Sequence, residues 1–145
     1  MITTERWLIC GPRDYGVVKD VRNPADVERA RIEAEGLRVD LDDLVIQRGF
    51  PAVVITGGAP GADTLADEWR KSRGYAGQVF KPDWDAQPRR AGIIRNTQML
   101  TLLRAIRASR RVVIHFPLHP TTPGTTNMIQ QALAAGDVEV IGLGR

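Results

Sequence analysis

Eight consecutive residues, Thr56-Gly57-Gly58-Ala59-Pro60-Gly61-Ala62-Asp63, combine backbone freedom with the polar groups that anion binding needs. Glycine adopts positive φ and lets a ligand come close to the main chain. A helix following such a loop offers unpaired N–H groups and the positive end of its dipole, which suit a phosphate or carboxylate. The run is not a Walker A loop, because no Gly-Lys-Ser/Thr follows, and it reads Gly-Gly-x-x-Gly rather than Gly-x-Gly-x-x-Gly. A plainer reading also fits these residues: a tight strand-to-helix turn with Asp63 capping the helix. A second loop, Thr121-Thr122-Pro123-Gly124-Thr125-Thr126-Asn127, again lies between an apolar run and a helical pattern. One threonine is enough for a helix cap. Four around Gly124 exceed that need, so Gly124, Thr125 and Thr126 are candidates for holding phosphate oxygens.

Arg95-Asn96 form the third candidate group. Met99, Leu102 and Ile106 make an apolar helical stripe, and four residues back from Met99 stands Arg95. The spacing therefore turns Arg95 inward, near the start of its helix. A buried guanidinium is costly unless paired, and carboxylate or phosphate is its natural bidentate partner. The partner is either a ligand or one of Asp63, Asp83 and Asp85. Asp83 follows the glycine loop by about 20 residues, a separation at which an acid can hold a ribose diol in dinucleotide folds. Trp84 beside it can stack on a base. Gly11 and Arg13 follow the first apolar run and belong to the same rim, with Arg13 a further phosphate ligand. If the site is catalytic, Asp63, Asp83 and Arg95 are the candidates.

These residues need elements to bring them together. Short apolar, β-branched runs recur at Arg6–Cys10, Ala52–Thr56, Gln78–Lys81, Arg111–Phe116 and Val138–Leu143. Between them lie helical patterns: one through about Arg73, one over roughly Arg89–Ala108, and one over about Thr125–Ala135. A helix over Leu37–Arg48 rests on the stripe Leu37, Leu41, Leu44 and Val45. The charged segment Asp14–Gly36 reads as irregular or as an appended helical hairpin. Strands of four to six residues alternating with helices imply α/β architecture, a three-layer parallel sheet of about five strands with helices on both faces. In such sheets ligands sit beyond the carboxyl ends of the strands, where strand order reverses. Each glycine-bearing turn follows a strand, so the candidate residues are expected at one edge of a single domain spanning 1–145.

The charge is unevenly spread. The 145 residues sum to +3, yet residues 1–85 carry 15 Asp and Glu against 12 Lys and Arg. Residues 86–136 carry seven arginines and no acid. An anionic ligand is implied, either a small molecule or a polymer. Phe116 is the one aromatic residue in that stretch, a poor basis for stacking single-stranded nucleic acid. Cys10 is the sole cysteine, and His115 and His119 are the sole histidines. These exclude an internal disulfide and argue against a metal site. No apolar run approaches the roughly 18 residues of a membrane span, and no signal peptide is recognisable. A cytoplasmic protein without metal or other cofactor is expected. A nicotinamide dehydrogenase is disfavoured, since 145 residues leave no room for a separate substrate domain.

Taken in order, Cys10-Gly11-Pro12-Arg13-Asp14, the glycine loop, Lys81-Pro82-Asp83-Trp84, Ala91-Gly92-Ile93-Ile94-Arg95-Asn96-x-x-Met99 and Gly124-Thr125-Thr126-Asn127 resemble the YspA/YpsA-related branch of the SLOG superfamily. That resemblance spans nearly the whole chain. It implies a Rossmann-like fold, a nucleotide or nucleotide-derived ligand, and a homodimer. Relatives in the superfamily include the LONELY GUY phosphoribohydrolases and the DNA-processing protein A group, which loads single-stranded DNA. The phosphoribohydrolases carry Arg-Lys-x-x-Met and Pro-Gly-Gly-x-Gly-Thr-x-x-Glu motifs. Here Asn96 replaces the lysine, and Met128 stands where the catalytic glutamate would be. Methionine cannot relay a proton. The resemblance thus keeps the phosphate-binding half, Gly57, Gly58, Gly61, Arg13, Arg95, Gly124 and Thr125, and removes the hydrolytic acid. The expected function is binding of a nucleotide or phosphoribosyl ligand, as a sensor or as an N-glycosidic hydrolase. Single-stranded DNA binding is the alternative.

Overall fold

A computed structural model describes residues 4–82, 85, 90–105, 110–117 and 122–144. Five strands, β1 (Glu5–Cys10), β2 (Val53–Thr56), β3 (Gly77–Val79), β4 (Arg110–His115) and β5 (Glu139–Gly142), form one sheet in the order β3-β2-β1-β4-β5. Every pairing is parallel. Four helices connect them: α1 (Pro24–Arg48), α2 (Ala62–Arg73), α3 (Ala91–Arg104) and α4 (Pro123–Ala135). The three-layer Rossmann-like α/β arrangement expected from the strand–helix alternation is therefore present. Asp83, Trp84, Thr121, His119 and the proposed ends of the third helix lie outside the described residues.

Side-chain alternation along β1 builds two cores. Trp7 and Ile9 face one side, where Leu37, Leu41 and Leu44 of α1 and Ala66 and Trp69 of α2 cover them. Leu8 and Cys10 face the other, beneath Met99 and Leu103 of α3 and Met128 and Ala132 of α4. All six residues of β1 are buried, as a central parallel strand with helices on both faces requires. Its charged first residue survives there because Glu5 accepts from Arg48 at 2.8 Å and from the Trp7 indole at 2.9 Å. Among the described residues, no helix is long and apolar enough to cross a membrane.

One expectation is corrected. The segment Asp14–Gly36 is irregular only as far as Asn23: α1 then runs unbroken for 25 residues from Pro24, through Gly36, to Arg48. Asn23 caps it by accepting from the Ala25 amide, with Pro24 in the first turn, where its missing N–H costs nothing. Charged pairs at helical spacing then carry the exposed half: Arg29 with Asp26 and Glu33, Arg31 with Glu28 and Glu35. Apolar periodicity is weak there because ion pairs, not burial, supply the local support.

Candidate functional site

Strand order reverses between β1 and β4, whose carboxyl ends are Cys10 and His115. There lies a cleft of about 1010 Å³. All helices that follow β2, β3 and β4 begin on this side, so the amino ends of α2, α3 and α4 converge on it. Gly11, Arg13, Gly58, Asp63, Arg95 and Asn96 line the cleft, as do Gly124, Thr125 and Thr126. Nine of the expected residues thus meet at one place, drawn from four segments of the chain.

Gly57 and Gly61 lie behind this lining and act differently from the ligand cradle expected of them. Gly61 has φ of 81°, and a Cβ there would lie 2.4 Å from the Pro12 carbonyl oxygen. Its absence lets the β2–α2 loop press against Pro12-Arg13, a contact held by the Ala62 amide donating to Pro12 at 3.1 Å. Gly57 faces two charged groups at once. A Cβ on it would come within 2.6 Å of Arg95 Nη1 and 2.8 Å of Asp63 Oδ2. Arg95 Nη1 donates to the Gly57 carbonyl at 2.7 Å. Asp63 takes the Ala59 amide at 3.3 Å and also the Gly57 amide.

Asp63 therefore does not cap α2. It is the second residue of that helix, and its carboxylate reaches back to brace the preceding loop. It is 4% exposed. Burial pushes the Asp63 carboxyl up to about 6, opposed by the charge of Arg95, the two loop amides and Arg13. The same burial pulls Arg95 down from the ordinary arginine range. Arg95 is half-buried, and its Nε is enclosed without a hydrogen-bond partner. The partner expected of Arg95 is either a ligand or an internal carboxylate. Arg95 takes Asp63 as an electrostatic neighbour and a carbonyl as its hydrogen-bond partner, leaving guanidinium surface in the cleft.

Asn96 ties the third and fourth helices together. It is 2% exposed, and its Nδ2 donates to the Gly124 carbonyl at 2.9 Å and to Asn127 Oδ1 at 3.2 Å. Gln131 Nε2 donates to the same Asn127 oxygen at 2.8 Å. An amide at position 96 thus shapes the α4 entry by hydrogen bonding without adding charge. Thr126 Oγ1 is turned back to the Thr122 carbonyl at 3.1 Å. Met128 is 1% exposed and packed with Leu8, Met99 and Leu103, and it is absent from the cleft lining.

Several lining residues were not singled out from sequence. Cys10 ends β1 at the cleft floor; its thiol is pushed up by burial and by the charge of Asp63. Asp14 lines the rim and pairs with Lys19 at 2.7 Å. Gln130 stands four residues after Thr126 on α4, a helical spacing that predicts a shared face. Among the described residues, Asp14 and Asp63 are the carboxylates that line the cleft.

Comparison with known proteins gives the chain its relatives. The Gene 61 protein of Mycobacterium phage D29 is 32% identical over 109 residues, covering 72% of this chain and 81% of that protein. No solved structure matches. A family described as YspA, cpYpsA-related SLOG matches residues 6–86, from β1 through Arg13, the glycine loop and Asp63. The chain belongs to the YspA, cpYpsA-related SLOG family.

Proposed function

We propose that the chain binds a nucleotide or phosphoribosyl ligand in the cleft beyond β1 and β4. The observation that carries this reading is Arg95. Its guanidinium is anchored on the Gly57 carbonyl, keeps a buried Nε without a partner, and still lines a cleft where three helix amino ends converge. Such a group is costly to bury and is compensated by an anion. Arg13, near enough to act on both Arg95 and Asp63, supplies a second cation to the same lining. The α4 entry, with Gly124 and Thr125, offers neutral donors to the same anion. SLOG membership supports a nucleotide-related role of this kind. Asp83 and Trp84 remain our candidates for the sugar and base.

Binding without turnover is the form of this function that we favour. Met128, at the position of the phosphoribohydrolase glutamate, is a core residue and brings no acid to the cleft. Titration calorimetry with AMP and ribose 5-phosphate tests the reading. We expect saturable binding that Arg95→Ala weakens at least tenfold, the loss of one charge-assisted contact. Failure of both compounds to bind at millimolar concentration would refute it. Chromatographic assay of AMP at high protein concentration separates the two forms: release of adenine and ribose 5-phosphate would establish N-glycosidic hydrolysis instead. Homodimerisation is part of the same proposal, and light scattering on the eluting protein reads it directly.

A further inference from the structure

We infer that this cleft takes its phosphorylated ligand together with one proton, and that Asp63 is where the proton goes. The inference rests on the nucleotide-binding reading and adds the charge state in which the site closes on its ligand. Its basis is the composition of the cluster at the cleft wall. Two cations face the space, Arg13 from the β1–α1 loop and Arg95 from α3. Two carboxylates share the lining, but Asp14 is already joined to Lys19. Asp63 alone remains against the arginines, 4% exposed, with Arg95 Nη1 and its own Oδ2 both crowding the space that a Cβ on Gly57 would occupy.

Arg95 approaches Asp63 from α3 and Arg13 from the β1–α1 loop; the Gly57 and Ala59 amides come from the β2–α2 loop. The Cys10 thiol lies beneath, at the end of β1, and is neutral because burial pushes it up. Lys81, beyond β3, packs its stem against Gly58 but neither lines the cleft nor acts on the Asp63 carboxyl, so it stays outside the charge balance. With Asp63 ionised, the two arginines present one net positive charge. A phosphomonoester at neutral pH carries nearly two negative charges, its second ionisation lying near pH 6. Protonating Asp63 restores the match, two positive charges for two negative ones. The carboxyl is already poised for this, since burial has raised it to about 6 in the free protein. A dianion entering beside it raises it further, because like charges in a shared site disfavour ionisation.

The inference also separates ligand classes. A phosphodiester carries one charge and is balanced with Asp63 ionised, so it needs no proton. Asp63 then favours a terminal phosphate over a polymer linkage.

Calorimetry of AMP binding at pH 7.5, repeated in buffers of widely different ionisation heat, counts the protons taken up. The expected result is uptake of at least half a proton per AMP by the wild type and near zero by Asp63→Asn. AMP affinity of the wild type should rise at least threefold from pH 8.5 to pH 7, and that of Asp63→Asn should stay flat. Should Asp63→Asn fail to fold, carbon-13 spectra of the wild-type Asp63 carboxyl serve instead. Its titration midpoint should rise from about 6 to roughly 7.5 or above when AMP saturates the protein, as uptake of half a proton at pH 7.5 requires. AMP binding without proton uptake, uptake that persists in Asp63→Asn, or an unmoved midpoint would overturn this inference while leaving the binding reading intact. Failure of both AMP and ribose 5-phosphate to bind would overturn the reading beneath it, and the inference with it.

Discussion

At the residue scale the site turns on what Gly57 leaves room for. Its φ is not positive, so an alanine there meets no backbone strain. It meets instead Arg95 Nη1 at 2.6 Å, Arg95 Cζ at 2.7 Å and Asp63 Oδ2 at 2.8 Å. Gly57→Ala must push the guanidinium off its carbonyl or the carboxylate off its amides. We expect a loss of about 1–3 kcal/mol in stability, the usual cost of overpacking, together with at least tenfold weaker AMP binding. Gly124 is the control, since nothing lies within 4 Å of its missing Cβ. Gly124→Ala, in the first turn of α4, should not lower the urea midpoint, and an unchanged affinity for AMP would remove Gly124 from the phosphate cradle. Asp63 has its own signature in stability. With its folded carboxyl near 6 and an ordinary value near 4 when unfolded, the native state holds the extra proton between those values. Its contribution to stability is therefore most favourable at low pH and falls as pH rises through the window. Asparagine has no such dependence. The stability of Asp63→Asn relative to wild type should improve by on the order of 2–3 kcal/mol from pH 4 to pH 7.5, read from urea unfolding at each pH. A constant difference would mean that Asp63 ionises normally.

At the scale of elements, α1 shows how local support replaces burial. Gly36 sits mid-helix with ordinary φ and open space around its missing Cβ. Gly36→Ala should stabilise the protein by about 0.5–1 kcal/mol, seen as a raised urea midpoint with unchanged slope. If it destabilises, the helix is not continuous through that point. The strands were legible because apolar β-branched runs are local signals, and Trp7 to Cys10 alternate between two cores as their order dictates. The first half of α1 was not, because Arg29 and Arg31 with their acids give no apolar stripe to read. The inward turn of Arg95 was legible from its spacing to Met99. Its bond to Gly57 was not, since it joins positions 38 apart in the chain. Asp63 illustrates the remaining gap. A residue in the first turn of a helix is equally placed to cap it or to reach back, and only the folded path of the glycine loop decides between them.

For the whole molecule the question is whether the arginines of residues 86–136 act as one surface. Arg95 serves the cleft, at the carboxyl end of the sheet. Arg110 and Arg111 begin β4, which runs from there to His115 at the cleft. Six strand residues put roughly 16 Å between the two ends, about two screening lengths at physiological salt. Arg104 and Arg111 also converge on Asp137, at 2.8 Å and 2.5 Å. Among the described residues, a polyanion would meet Arg95 beside Asp63 and, apart from it, Arg104 and Arg111 on Asp137, rather than a continuous track. Contact with two phosphates predicts a salt slope near −1.4 for single-stranded DNA. A fluorescent 20-nucleotide oligothymidine should therefore bind no tighter than about 100 μM at physiological salt, within the weak non-specific range. Titrations from 50 to 300 mM salt should give a slope shallower than −2, and AMP should compete only for the fraction bound at the cleft. Submicromolar binding with a slope of −4 or steeper would instead unite the arginines into one nucleic-acid surface, and the cleft would then be the end of a track rather than a pocket for a small phosphate.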